Sequence, residues 1–425
     1  MRVGMLSYHT CPLALLGGKD SGGMNVYVRD LTRELGIHGI GVDVFTRSQD
    51  EHVPHVLHDL GYGNRVVHIP AGPEVPMPKE ALAEYLPDFV QGIRDFQRIK
   101  NFRYDLIHSH YWLSGIAALQ LREEIDAPVI QMFHTLGVTK AKIARAEHEY
   151  PSQLRLDTER RLLAQADWVV SSTQAEVEEI HQYYGNDVTE IEVIPPGVDL
   201  SHFYPIDKDE AREFVGAPCA QKMILFVGRI EPLKGVDALI EAVALLNQEG
   251  IFEKERFCLA IIGGDPQASE KEMTAEMNRL LTLRDKHHLQ DMVIFLGKRS
   301  QDSLPYYYSA ARVVVVPSHY ESFGLVALEA MACGTPVIAT DTGGLAYLIQ
   351  DGETGFHVPV GDSAVLADRI KCLLLNEELR AHMAKAALDY AKTYAWSSLV
   401  NRIIALYEKV LRNQKSERLE TTPKG

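Results

Sequence analysis

Short apolar runs bounded by Gly, Pro or Asp alternate with longer amphipathic stretches along most of the 425-residue chain, the pattern of βα units around a parallel sheet. The first half predicts strands at Arg2 to Ser7, Gly41 to Thr46, Val66 to Ile69, Leu106 to Ser109, Pro128 to Phe133, Trp168 to Ser171 and Ile191 to Ile194. The alternation restarts with Met223 to Val227, Cys258 to Gly263, Val293 to Leu296, Val313 to Val316 and Pro336 to Ala339. Two doubly wound α/β domains in tandem fit this restart better than one large sheet. Between them the segment PPGVDLSHFYP, Pro195 to Pro205, stops regular structure with three prolines and a glycine. The domains predicted are residues 1–200 and 206–395. A helical pattern from about Asp362 to Leu411 breaks near Trp396; residues 396–412 are expected to pack back on the first domain and the polar 413–425 to fray.

Ligands of open α/β sheets sit beyond the carboxyl ends of the strands, so the loops there carry the candidate chemistry. The first strand leads into SYHTCPLALLGGKDSGGMNVYVRDL, a glycine-rich loop opening a helix near Met24. Gly22 and Gly23 would let backbone N–H groups approach an anion at a helix start, with the Asn25 amide and the His9 imidazole nearby. G-x-G-x-x-G is absent, which argues against a nicotinamide or flavin enzyme. In MILFVGRIEPLKG, Arg229 and Lys234 follow a strand end and suit a diphosphate, whose charge they would neutralise as it departs. The strongest signal is VVVVPSHYESFGLVALEAMACGTPVIATDTGGL. Here a helix expected from about Phe323 would set Glu321 and Glu329, eight residues apart, some 80° apart around its axis. Both carboxylates would then accept hydrogen bonds from sugar hydroxyls, while the backbone of Phe323, Gly324 and Leu325 faces phosphate or hexose.

Composition narrows the partners. A count of 43 basic against 58 acidic residues, net −15, repels a phosphate backbone and excludes a general nucleic-acid binder, so bound phosphate must be held locally. Cys11, Cys219, Cys258, Cys333 and Cys372 contain no C-x-x-C pair and read as reduced thiols of a cytoplasmic protein. The start MRVGMLSYHT reads as a strand rather than a signal peptide, and no apolar run reaches the roughly 18 residues of a membrane span. His108 and His110 form an H-x-H pair with no carboxylate to complete a metal site, and no D-x-D cluster demands a metal.

From its first strand to about Tyr407 the chain resembles the retaining GT-B glycosyltransferases, whose E-x7-E motif is here Glu321 to Glu329. Within them it is most similar to the branch that glycosylates inositol 3-phosphate at the start of mycothiol synthesis, and more distantly to the enzymes that form sucrose phosphate. The resemblance implies two Rossmann-like domains facing a cleft. It also implies transfer of a hexosyl group, N-acetylglucosamine or glucose, from a UDP-sugar to a phosphorylated polyol or sugar such as inositol 3-phosphate. It assigns Glu329 to the ribose, Glu321 to the hexose, Arg229 and Lys234 to the diphosphate, and Arg299 in FLGKRS to the side of the base. The acceptor phosphate would fall to Lys79 in PMPKEAL, Tyr111 in HSHYWLSG, Thr135 in FHTLG and Arg155 in QLRLDTE. His9, Asp20, Gly23 and Asn25 would surround the acceptor ring and donor, and His134 would lie near the transferred sugar, completing a catalytic set of His134, Arg229, Lys234 and Glu321. The family is also described with magnesium held by backbone at positions matching Tyr308, Ser309, Ala311 and Thr335, here treated as optional. The loop PLALLGGKDSGG and the stretch Pro73 to Lys79 depart from the family wording, which leaves the acceptor least defined. A lipid or glycan acceptor is the variant suggested by the basic stretch Asp88 to Arg103. A hydrolysing nucleotide-sugar epimerase and a silent nucleotide-sugar-binding protein compete less well, since Arg229, Lys234, Glu321 and Glu329 are all intact. Monomer and homodimer are both open.

Overall fold

A computed structural model describes residues 1–14, 22–144, 150–216, 222–267 and 273–421. The chain forms two compact units, the first comprising Met1–Ala14, Gly23–Pro195 and the chain from Trp396 on, the second containing Pro196–Ala395.

The first unit is built on β1 (Arg2–Leu6), β2 (Gly41–Arg47), β3 (Val56–Leu57), β4 (Arg65–Ile69), β5 (Leu106–His110), β6 (Val129–Met132), β7 (Trp168–Ser171) and β8 (Ile191–Val193). Their order is β3-β4-β2-β1-β5-β6-β7-β8, parallel except where β3 meets β4. Helices α1 (Gly23–Ile37), α2 (Leu86–Lys100), α3 (Tyr111–Ile125) and α4 (Gln153–Gln165) connect them. Because β1 lies between β2 and β5, the chain leaves these neighbouring strands in opposite directions, and their carboxyl ends mark the switch point where ligands bind. β5 is buried at all five positions although it reads LIHSH, so its polar side chains must find partners inside. Ser109 donates to Gln131 Oε1 at 2.5 Å, and Gln131 donates in turn to the Met132 and Tyr111 carbonyls.

The second unit carries β9 (Met223–Val227), β10 (Cys258–Ile262), β11 (Val293–Gly297), β12 (Ala311–Val316), β13 (Val337–Thr340) and β14 (Gly355–Val358) in the order β11-β10-β9-β12-β13-β14, all parallel. Helices α5 (Val236–Gln248), α6 (Leu304–Ala310) and α7 (Leu325–Ala332) pack around it. Two glycines let its strand-end loops touch backbone to backbone. A Cβ on Gly235, at φ +65°, would lie 2.0 Å from the Pro317 carbonyl oxygen, and one on Gly263 would lie 1.9 Å from that of Gly228. The loops after β9, β10 and β12 are thereby drawn together.

The twelve apolar runs all form strands, with ends shifted by at most two residues. Two strands escape the pattern. β3 is a two-residue edge inside a polar stretch, and β14 reads GFHV, too short and too mixed to stand out. The turn-rich segment is not a bare linker either, since Val198 and Phe203 are buried in the core of the second unit. The last helix, α8 (Trp396–Thr421), belongs to the first unit and buries Trp396, Leu399, Val400, Ile403, Leu406, Tyr407 and Val410, a stripe at helical spacing. It packs on α1, with the Trp396 and Tyr27 rings 5.3 Å apart. It continues to Thr421, past the point at 413 where fraying was expected: Gln414 Nε2 donates to the Asp126 carbonyl at 3.3 Å, and Gln, Lys, Glu, Arg and Leu are all good helix formers.

Cys11, Cys333 and Cys372 are free, whereas Cys258 is disulfide-bonded, which corrects the reading of all five cysteines as thiols. No local spacing marks such a bridge in sequence. Cys219 lies outside the described residues. Among the described residues no helix is long and apolar enough to cross a membrane.

Candidate active site

At the switch point of the first unit, β5 is followed directly by Tyr111 at φ 74°, the first residue of α3, and β6 is followed by His134 at φ 60°. Left-handed backbone at non-glycine residues is strained and gathers where a ligand must be met. Four of the predicted acceptor-phosphate residues converge there. Arg155, on α4 and only 4% exposed, donates to the Tyr111 hydroxyl at 3.1 Å and to the Thr135 carbonyl at 2.6 Å. Lys79 stands 5.6 Å from the centre of the Tyr111 ring, and the His9 ring lies 4.5 Å from it on the β1 side. Two cations thus flank one tyrosine at the carboxyl ends of β1, β5 and β6. Burial, then Lys79, His134 and Arg155, holds His9 well below the ordinary histidine range, so its ring is neutral.

What keeps Arg155 in place is Glu159, one helical turn on and fully buried. Glu159 accepts from Arg155 Nε at 2.7 Å, from the Gly137 amide and from the Tyr184 hydroxyl. Sequence reasoning passed over Glu159, yet the i,i+4 spacing Arg155–Glu159 in QLRLDTE was the available signal. Asn25 also has a structural part here. It is 1% exposed, and its amide donates to the Thr10 hydroxyl at 2.7 Å and the Cys11 carbonyl at 2.6 Å, so it staples the loop after β1. Gly23 opens α1. Asp20 lies outside the described residues.

Behind this surface runs a histidine cluster, fully buried at His108 and His110 and partly buried at His134. His134 Nε2 is 2.9 Å from His110 Nδ1, the His108 and His110 rings are 4.4 Å apart, and His108 Nδ1 is 2.8 Å from the Tyr407 hydroxyl of α8. Burial pushes His108 down to about 3 from an ordinary 6.5 and His110 well below that ordinary value. Both are neutral when folded, whereas the unfolded chain takes up their protons near 6.5. Between about 6.5 and about 3 the unfolded state therefore binds more protons, and stability falls as pH drops through that window. Urea unfolding at about pH 7, 6 and 5 should give steadily lower stability, with a shallower decline in His108→Phe. An identical decline in that variant would show that His108 does not drive it.

In the second unit Lys234, at the end of a short 3-10 turn after β9, pairs with Glu321, whose Oε1 also accepts from Ser318 at 3.1 Å. Arg229 stands 3.0 Å from Glu231. The two groups predicted for the diphosphate and the hexose thus meet each other. α7 begins at Leu325 with Gly324 before it at φ 107°, and no side chain caps its first amides. Those amides are the orphan donors of a helix start. Glu321 lies four residues ahead of that helix, so helical phase does not set its position relative to Glu329; the turn does, fixed by the Gly344 amide bonding the Glu321 carbonyl at 2.8 Å. Glu329 is 6% exposed and accepts from the buried Tyr308 hydroxyl at 2.7 Å. Phe323 turns its ring into the core, 5.8 Å from Tyr394. Arg299 is oriented by the Tyr307 hydroxyl at 2.8 Å.

The positions matched to magnesium do not suit it. Tyr308, Ser309, Ala311 and Thr335 are each at most 3% exposed. The Tyr308 carbonyl accepts from Thr335 Oγ1 at 2.7 Å, and Ser309 Oγ accepts from the Ile206 amide. Among the described residues no group of three or more His, Cys, Asp or Glu could supply the charged oxygen set a hard cation prefers.

Comparison with known proteins adds to this geometry. Residues 207–389 match the family of glycosyl transferases group 1, and residues 21–202 match glycosyltransferase family 4. A D-inositol 3-phosphate glycosyltransferase of Nocardiopsis dassonvillei is 37% identical, over 96% of this chain and 94% of its own length. One of Actinosynnema mirum is 38% identical, over 96% of each. Among solved structures, a sucrose-phosphate synthase from Thermosynechococcus elongatus superposes with a TM-score of 0.87 at 34% identity, covering 97% of this chain and 99% of that one. Anabaena Alr3699/HepE in complex with UDP and glucose shares the fold, with a TM-score of 0.73 at 21% identity over 96% of this chain and all of its own.

Proposed function

The chain belongs to the group 1 glycosyltransferases, in the family of the D-inositol 3-phosphate enzymes, and from that premise we propose that it moves a hexosyl group from a UDP-sugar to a phosphorylated polyol, inositol 3-phosphate first among them, with retention at the anomeric carbon. Its two parallel-sheet α/β domains have the GT-B architecture. The observation that carries the acceptor class is the convergence of Lys79 and buried Arg155 on Tyr111, since two cations and a hydroxyl at one strand end match a phosphate dianion.

On the donor side, Arg229 and Lys234 take the diphosphate together with the uncapped amides of α7, Glu329 takes the ribose hydroxyls and Arg299 flanks the base. Glu321 binds hexose hydroxyls and holds Lys234 in place. The acceptor hydroxyl attacks the anomeric carbon on the face the diphosphate leaves, and the departing phosphate oxygen takes its proton while the two cations absorb the growing charge. Retaining glycosidases place two carboxylates about 5 Å apart, with one as nucleophile. Here Glu321 is paired with Lys234 and Glu329 with Tyr308, which suits binding rather than a covalent glycosyl enzyme.

A second reading, transfer of glucose to fructose 6-phosphate, draws on the 0.87 TM-score and 34% identity to the sucrose-phosphate synthase. One experiment separates the two. UDP release from UDP-N-acetylglucosamine and UDP-glucose is measured with inositol 3-phosphate, fructose 6-phosphate or unphosphorylated inositol. Strong stimulation by inositol 3-phosphate is the expected result, with Lys79→Ala raising the acceptor KM about 10-fold to 100-fold, as loss of a charge-assisted bond would, and leaving the donor KM unchanged. Equal stimulation by unphosphorylated inositol would overturn the phosphate assignment.

A further inference from the structure

The second unit has a small pocket of mixed polar and apolar lining at the end of its sheet opposite the donor loops. It is lined by Lys208, Arg312, Gly334, Pro336, Glu377 and Arg380, among others. Arg312 is the second residue of β12, and Gly334 and Pro336 belong to the turn that enters β13, so the pocket lies at the amino-terminal ends of these strands. Ser318 and Glu321 follow the carboxyl end of β12. Six residues of strand at about 3.3 Å each separate the two places by roughly 20 Å.

We propose that this pocket is a second anion site, which binds a phosphate group, either inorganic phosphate or the phosphate of a small phosphomonoester. Arg380, 5% exposed, has its guanidinium anchored by Nη1 on the Leu373 carbonyl at 2.7 Å. Its Nη2 lies 3.3 Å from Glu377 Oε1, and Arg312 Nη1 lies 3.9 Å from that same oxygen. Two guanidinium groups therefore converge on one carboxylate oxygen, and the carboxylate belongs to a side chain that is 84% exposed. An exposed glutamate can swing away at little cost, and a dianion bearing more oxygens and more charge would satisfy both guanidiniums better. Lys208 opens one helix at the pocket and Glu377 opens another, and since Asp207 and Asn376 already cap their first amides, the attraction for an anion rests on the side-chain cations. Arg212 contributes a further cation on the first of these helices, with its contact to the 92% exposed Asp209 at 3.1 Å. The crowding shows on Lys208, whose ammonium is held below the usual lysine range by burial and then by Arg312, Arg380 and Arg212. Size limits the ligand. The cavity is about 40 Å³, far below the usual range for a drug-sized ligand, so a phosphate group at its mouth is accommodated where a nucleotide sugar would not be.

The test is thermal unfolding of the full-length protein in increasing inorganic phosphate at constant ionic strength and pH. The expected result is a saturable rise in Tm that persists in Lys79→Ala, which removes a cation of the proposed acceptor site. Apparent phosphate affinity should fall at least about 10-fold in Arg312→Gln and Lys208→Met, the loss of one charge-assisted contact. Glu377→Gln supplies a gain that misfolding cannot imitate, because removing the competing carboxylate should tighten phosphate binding several-fold. A parallel titration with glucose 6-phosphate separates a free-phosphate site from a phosphomonoester site, and tighter binding of either supports the proposal. No saturable shift in the parent protein would overturn it. So would a shift that vanishes in Lys79→Ala but survives in Arg312→Gln, or phosphate affinity unmoved by Glu377→Gln.

Discussion

Lys234→Ala is expected to lower kcat by about 10²-fold to 10³-fold while leaving the protein folded, the loss typical of removing one preorganised group that faces developing charge. The physical reason is where its ammonium sits. Gly235 lets the turn after β9 press against Pro317, and this close approach brings Lys234 to Glu321 across the strand-end loops. The pair is only 15% and 22% exposed, so urea unfolding of Lys234→Ala accompanies the kinetics to separate lost rate from lost stability. In the proposed reaction the diphosphate gains charge as the glycosidic bond breaks, and a cation already in position stabilises that state without reorganising. Lys234→Arg should recover part of the rate, since charge matters more here than shape. Steady-state kinetics with saturating donor checks this, and a kcat within about threefold of the parent would remove Lys234 from the mechanism.

Arg155→Leu should have the second large effect, and on two quantities at once. Breaking a buried ion pair by deleting one partner typically costs about 3–5 kcal/mol, because the other charge is left uncompensated. Here that charge is Glu159, fully buried, which would keep only the Gly137 amide and the Tyr184 hydroxyl. Urea unfolding measures the loss. The double variant Arg155→Leu with Glu159→Leu separates structure from function. It removes both charges, so it should regain much of the stability, yet it should not regain acceptor-stimulated UDP release. Recovery of that activity in the double variant would mean that Arg155 only supports the fold.

Much of this arrangement is legible in the sequence because it rests on signals of short range. Val, Ile and Leu runs ended by Gly, Pro or Asp are themselves the buried strands, and parallel strands buried on both faces need little else. Lys234 and Glu321 were visible because each follows such a run. The less visible features depend on tertiary geometry. That Asn25 turns back to Thr10 and Cys11, or that Tyr308 bonds Glu329 across 21 residues, depends on side-chain direction within packed layers. The eight-residue spacing of Glu321 and Glu329 suggested a shared helix, and the glycine at 324 moved the helix start past Glu321 instead. Glu159 went unread because an Arg–Glu pair one turn apart on a helix is usually an exposed ion pair, and only the packing of α4 buries this one. The cluster of Lys208, Arg312 and Arg380 is invisible in the same way, since more than 100 residues separate Lys208 from Arg312 and the turn into β13 brings them to one pocket.

The central claim is retaining transfer to a phosphorylated acceptor, and the configuration of the product tests it most directly. The protein is incubated with an α-configured UDP-sugar and inositol 3-phosphate, and the isolated product is examined by proton NMR at its anomeric position. The account predicts a single phosphorylated glycoside with the donor's α configuration, formed in step with UDP. A β-linked product, or UDP formed only alongside free hexose, would contradict it.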